Sequence, residues 1–254
     1  PNLCRVVLRP RGPLEVFDLG LRLVGSDPKP FLRLAGLTLL PLWLVLGTAA
    51  ALMPDQPALI LFFTAVVALP LQAPFTLLGG KMLFQAEPSV REVLRELVTA
   101  PVAPLMVWFV QASALLLGLP ICGWGWLILA VPTLFVAEAG LLERVGFGRM
   151  MRRSSRLASA YPGHVAAGVF AYVALLGWCV LVMEGLGSAL LSTVLQLGAP
   201  FGSLFTGTVT PWVVLGLLIA QPIYALYRIL LYVDVRTRVE GWDLQVQLRA
   251  AGMS

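Results

Sequence analysis

The chain has 254 residues, 59% of them hydrophobic and only 12% charged, with a mean hydropathy of +0.88 and a formal net charge of +5. Soluble domains carry about a quarter charged residues, so these figures exclude a water-soluble globule, a disordered chain and a disulfide-stapled secreted scaffold. What remains is an integral membrane protein.

A helix crossing the hydrocarbon core needs about 20 mostly apolar residues, and six segments meet that length: 31–53, 58–79, 101–121, 123–141, 164–183 and 211–233. They predict an all-α protein, six transmembrane helices arranged as three hairpins. A cytoplasmic arm (1–30) precedes the six-helix domain (31–233), and a cytoplasmic tail (234–254) follows it. The first apolar run begins after Pro30 and is span-length, so it is expected to be retained rather than cleaved as a signal peptide.

Lys and Arg near span ends resist translocation, which fixes orientation. With both ends inside, the four inner segments hold Arg5, Arg9, Arg11, Arg22, Lys29 and Arg33; Lys81, Arg91 and Arg95; Arg144, Arg149, Arg152, Arg153 and Arg156; and Arg228, Arg236, Arg238 and Arg249. These are all 18 cations of the chain. The outer connections hold none, the pattern of a multi-pass bacterial inner-membrane protein. Of the three cysteines, Cys4 falls inside while Cys122 and Cys179 fall toward the outer side; no ligand spacing joins them, so they read as packing residues.

The inner segments read as amphipathic helices. In 13–24, Leu14, Phe17, Leu21 and Val24 share one face, Pro13 starts the helix and Asp27-Pro28-Lys29-Pro30 ends it. In the next, Val90, Val93, Leu94, Leu97 and Val98 keep helical rhythm, with Ser89 and Glu92 spaced as a capping box. The third puts Arg149, Arg152, Arg153 and Arg156 on one face and Met150, Ser154, Leu157 and Tyr161 on another. Such helices lie in the headgroup layer beside anionic lipid; an acidic partner or a phosphorylated lipid is the alternative occupant.

The unit of inner helix and two spans occurs three times, and the second span of each carries a proline, Pro70, Pro132 or Pro222. Glu138 lies six residues after Pro132 and Arg228 six after Pro222, so the two reach equivalent depth. Ionisable groups there pair or reach water, which predicts an ion pair or a shared cavity; snorkelling to the inner headgroups is the alternative.

The stretch Leu8-Arg9-Pro10 with Glu15-Val16-Phe17-Asp18, then Glu143, Arg153-Ser154 and Arg156-Leu157, and the tail Tyr232-Val233-Asp234-Val235-Arg236-Thr237-Arg238-Val239-Glu240-Gly241-Trp242-Asp243-Leu244 together resemble a bacterial group of six-span membrane proteins. That group is similar to the membrane domain fused to some glycerophosphodiester phosphodiesterases. The middle motif departs from the pattern at Ser155, where an aromatic residue is expected. The resemblance implies fold and topology rather than activity. In the tail, Asp234, Arg236, Arg238, Glu240 and Asp243 alternate in sign, and we expect them to pair with one another or with the third basic segment, the tail folding back under the bundle with Gly241 as a turn or cap.

Catalysis finds few means here. The single histidine, His164, sits at the inner edge of a span, and no H-E-x-x-H, G-x-S-x-G or P-loop is present. We expect no enzyme and no cofactor. Polar residues at depth are few: Gln72, Gln111, Gln221 and Tyr224. Gln72 and Gln221 sit beside repeat prolines, which suits either a transport path or glutamines bonding proline-freed carbonyls. The uncharged outer segment 185–210 forms a re-entrant loop or, more plainly, a surface helix through 188–197. Trp124, Trp126, Trp178 and Trp212 read as the outer aromatic belt and Trp242 as the inner one.

The leading expectation is a non-enzymatic scaffold or accessory subunit of a membrane assembly, or a lipid-interacting factor, with the bilayer, anionic lipids and other membrane subunits or a second copy as partners and no nucleic acid. A small transporter or channel for a lipid-like solute is the alternative.

Overall fold

A computed structural model describes residues 12–85, 88–118 and 124–241. Every regular element among them is helical: α1 Pro13–Ser26, α2 Pro28–Leu52, α3 Pro57–Ala68, α4 Gln72–Phe84, α5 Val90–Thr99, α6 Val102–Gly118, α7 Trp124–Thr133, α8 Val136–Leu141, α9 Phe147–Ala160, α10 Pro162–Ala189 and α11 Pro211–Glu240, with short 3₁₀ or π turns between some of them. Four helical runs are long and apolar enough to cross a membrane: α2, α3 through α4, α10 with the π turn after it, and α11; α5 with α6 makes a fifth if that pair, bent by 82°, is one span. Apolar helices in this number suit a membrane-embedded protein. Helix α6 has 17 residues, about 26 Å, while α10 and its π turn run for 33, about 50 Å.

The most polar of the long helices is the innermost. In α11, 78% of the most apolar stretch is buried, against 22% in α2 and 28% in α10. Helices α1, α2, α3, α4 and α10 pack around α11, and α6 packs with α7 and α8 beside them. The outward faces are greasy, with Leu37, Leu44, Phe109, Ile128, Phe170 and Trp178 all exposed, the arrangement expected where lipid rather than water is the solvent.

Two of the prolines break their helices. Pro70 has no N–H, so the Val66 carbonyl loses its partner; the chain tightens into a 3₁₀ turn at Leu69–Leu71, and the Trp108 indole N–H donates to that carbonyl at 3.1 Å. At Pro132 the chain breaks between α7 and α8, and Ser154 of α9 enters the gap. Its hydroxyl donates to the Pro132 carbonyl at 2.8 Å and accepts from the Phe135 N–H at 3.2 Å. Pro222, by contrast, lies inside an uninterrupted α11.

Several expectations need correction. Helix α1 forms as expected: Val16, Gly20 and Leu23 are buried, Phe17 and Val24 of the apolar face pack against the core, and Leu14 and Leu21 are exposed; the short side of Gly20, set against Leu230 of α11, allows the closer approach. Ser89 makes no side-chain cap on α5, because Glu92 turns instead to Lys81 at 3.4 Å. Residues 234–240 do not fold back: they are the last turns of α11, which Gly241 ends at φ 58°, a left-handed conformation that costs glycine little. The chain after α10 does not form a separate surface helix through 188–197, since α10 runs to Ala189, a π turn follows at Leu190–Val194 and an irregular stretch leads to Thr210. Trp212 is not a free belt residue, as its ring stacks on Trp43 and closes over Gly187. Arg5, Arg9, Arg11, Cys4, Cys122, Trp242, Asp243, Arg249 and the first motif residues Leu8-Arg9-Pro10 lie outside the described residues, as do the side chains of Trp124 and Trp126.

Candidate functional site at the bundle centre

Depth from the three prolines organises the centre of the bundle. The positions six residues beyond Pro70, Pro132 and Pro222 are Thr76, Glu138 and Arg228, and all three meet. Arg228 Nε donates to Glu138 Oε1 at 2.7 Å, Nη1 to Gln72 Oε1 at 2.5 Å, and Nη2 reaches Thr76 Oγ1 at 3.5 Å. Glu138 and Arg228 are fully buried, so the pair is a core contact and neither residue snorkels. Arg228 therefore leaves the tally of inner surface charge and joins the core.

The glutamines extend the network. Gln72 Nε2 donates to Gln221 Oε1 at 2.7 Å, Tyr172 donates to the same oxygen at 3.1 Å, and Gln111 Nε2 reaches Gln72 Oε1 at 3.4 Å. Neither glutamine serves a proline-freed carbonyl: Trp108 takes the one at Val66, and Gln221 Nε2 goes to Leu217 O at 3.1 Å, one residue short of the carbonyl freed by Pro222. Tyr224 stacks on Tyr172 at 4.2 Å, with the Arg228 guanidinium 5.6 Å from its ring. Every polar candidate read at depth, Gln72, Gln111, Gln221, Tyr224, Glu138 and Arg228, thus gathers in one place.

Beside them is a cavity of about 50 Å³ lined by Gln72, Gln111, Tyr172, Tyr224 and Arg228 among others. Glu138 Oε2 and Gln111 Oε1 carry no protein partner. A space of this size takes a few waters, the ordinary way a lining oxygen such as Gln111 Oε1 is satisfied; Glu138 does not line it. An ion pair buried this deeply stabilises only when its remaining hydrogen-bonding positions are filled, and the glutamine and threonine side chains fill those of Arg228.

A second network closes one end of the bundle. Glu240 receives Arg153 at 2.9 Å, Arg156 at 3.0 Å and Arg236 at 2.9 Å; Arg236 also meets Glu143 at 3.1 Å, and Glu143 contacts Arg153 and Tyr232 as well. Arg238 pairs with Asp234 at 2.9 Å and lies over the Tyr161 ring. Burial alone lowers the Arg153 pKa, but the hydrogen bonds it donates to Glu240 and Glu143 outweigh this and hold the guanidinium charged. Of the four arginines expected to face lipid together, Arg149, Arg152 and Arg156 are exposed, Arg156 while also reaching Glu240, and Arg153 is half-buried and tied to carboxylates. The reason is geometric: α9 packs Ser154 into the α7–α8 break, which turns Arg153 toward α11.

Comparison with protein families, curated proteins and solved structures finds no match. The site must therefore be read from its own chemistry.

Sequence reasoning missed Thr76 and Glu184, and it named Ser154 and Glu143 without their partners. The carboxylate of Glu184, at the opposite end from the arginine network, is buried; it accepts from Leu204 N at 3.0 Å and from the Thr210 hydroxyl at 2.5 Å, pinning the irregular stretch to the start of α11. Thr210 before Pro211 is a helix-start signature that points to this end of the network. Cys179 is buried and free. Among the described residues no group of His, Cys, Asp and Glu is placed to hold a metal.

Along the flank, a lateral groove of about 880 Å³ runs between α1, α10 and α11, with Leu14 and Phe17 on one wall, Phe170, Ala174 and Trp178 on the second and Ile223 on the third. Its lining is almost wholly apolar.

Proposed function

We propose that this chain is a non-enzymatic, lipid-interacting protein of the bacterial inner membrane, with six spans and both ends inside, and that the flank groove receives an acyl chain. The kinship with the six-span group similar to the membrane domain of glycerophosphodiester phosphodiesterases is part of the same proposal. For the threading, α6 and the broken α7–α8 pack against each other as a short hairpin. Ion pairs also gather the ends of α4 and α11 with α5, the 142–146 turn and α9 at one side, which is where the cations would face the cytoplasm. In a cysteine-free background, an impermeant maleimide added to intact cells should label Asp55→Cys and spare Arg91→Cys. Labelling of the latter from outside would refute the threading.

The groove carries the lipid reading. Its volume exceeds that of the central cavity many-fold, its walls offer few polar groups, and α1 lines it with Leu14 and Leu21, both exposed. The centre, closed around its ion pair with space for a few waters, supports a transport path less well. The test is crosslinking with a diazirine-bearing phospholipid in membranes. We expect adducts concentrated on α10 near Trp178, reduced several-fold by Ala174→Trp, which fills the groove. Adducts spread equally over the α2 face at Leu37 and Leu44, or untouched by Ala174→Trp, count against it; a second protein crosslinked across the groove in place of lipid would favour the accessory-subunit reading.

A further inference from the structure

We infer that a separate pocket at the charged end of the bundle binds the headgroup of an anionic phospholipid from the inner leaflet. The inference rests on the lipid-interacting reading and on the threading above. The pocket, about 460 Å³, lies between α4, α5, the 142–146 turn and α11. Three cations, Lys81, Arg144 and Arg236, and two carboxylates, Glu96 and Glu143, line it, with Lys81 also paired to Glu92 and Arg236 to Glu240 outside the lining, while Leu77, Leu141 and Ile229 form an apolar floor. A second space of about 370 Å³ shares Leu77, Glu96, Leu141 and Arg144 with it and continues past Pro101, Val102 and Met106. Cationic rim and apolar floor together match an acidic headgroup joined to an acyl chain better than a free anion, which has no use for the floor. Basic pockets between spans on the cytoplasmic side are where such headgroups bind.

Two further observations point to Arg144 and Lys81. Arg144 holds φ at +51°, a left-handed conformation that a non-glycine residue adopts only where its surroundings impose it, and such strain gathers at ligand clamps. That conformation sets its guanidinium on Glu96 at the boundary between the two spaces. Lys81 is largely buried, yet its contacts to Glu92 and Glu96 are both 3.4 Å, looser than the 2.7–2.9 Å of a strong charge-assisted bond. A phosphate oxygen can replace them with a shorter one. The exposed Arg149 and Arg152 line neither space, so this site differs from the arginine face of α9.

Arg144→Gly provides the decisive variant, because glycine accepts the positive φ and the exposed Arg144–Glu96 pair adds little stability. The full chain would be compared by native mass spectrometry with phosphatidylglycerol and with phosphatidylcholine of identical chains. We expect a preference for phosphatidylglycerol that falls about fivefold on Arg144→Gly, and by a similar factor on Lys81→Gln, as loss of one cation near a headgroup predicts. The double variant Arg149→Gln/Arg152→Gln should leave it unchanged. The proposal is overturned if the preference survives both pocket variants, if it follows the α9 arginines instead, or if inorganic phosphate displaces the lipid at equal concentration, which would assign the pocket to a free anion. Absence of the preference alongside intact diazirine adducts on α10 rejects this pocket alone; absence of both rejects the lipid-interacting reading with it.

Discussion

Glu138→Ala will destabilise the protein by about 3–5 kcal/mol, the cost of leaving one member of a buried ion pair without its partner. The guanidinium of Arg228 keeps Gln72 and Thr76 but loses the carboxylate that neutralises it, and a side chain this buried has only the small central cavity beside it. Arg228→Met should cost a similar amount for the reciprocal reason. Glu138→Gln, which retains an acceptor, should fall between these variants and the parent. The double change Glu138→Ala/Arg228→Met removes both charges together and should be less damaging than the two single losses added. Denaturant-induced unfolding in detergent, read as a double-mutant cycle, measures the difference. Simple additivity would show that the two side chains merely share a location.

The second large effect concerns the seam between α10 and α11. A Cβ on Gly216 would lie 2.6 Å from the Val180 Cα and 2.7 Å from the Cys179 carbonyl oxygen, both backbone atoms that cannot rotate aside. Gly216→Ala must push the helices apart along their whole contact. We expect a loss at or above the upper end of the 1–3 kcal/mol usual for overpacking, seen as a lower melting temperature in detergent. Gly79→Ala supplies the control: its Cβ would also come within 2.7 Å of a neighbour, but that neighbour is the terminal methyl of Ile229, which has other rotamers. Equal losses at the two positions would mean that the seam is more pliable than the backbone contact implies.

Much of the centre was legible because proline marks depth. Counting six residues from Pro132 and from Pro222 brought Glu138 and Arg228 to one level, and the structure joins them. The same count from Pro70 reaches Thr76, a residue too ordinary in a membrane helix to attract notice by itself. The helical rhythm of α9 likewise gave the buried face of Met150, Ser154 and Leu157. What it did not give was Ser154 as the group that closes the α7–α8 break, since that needs the packing of two elements at once. For α1, periodicity found the apolar stripe, of which Phe17 and Val24 pack against the core, but not the closest contact, because Gly20 carries no hydrophobic weight yet lies against Leu230. The central position of α11 was hidden for a related reason: the polar groups that buried it find their partners on other helices. Sequence also treated residues 234–240 as a tail, although i,i+4 pairs such as Asp234–Arg238 and Arg236–Glu240 are as natural to a continuing helix.

The length of α10 has a consequence for the surrounding bilayer. With its π turn it runs for about 50 Å, well beyond the roughly 30 Å hydrocarbon slab. Lipids beside it cannot cover that whole length unless the helix leans or the bilayer thickens locally, at a fraction of a kcal/mol for each ångström of mismatch.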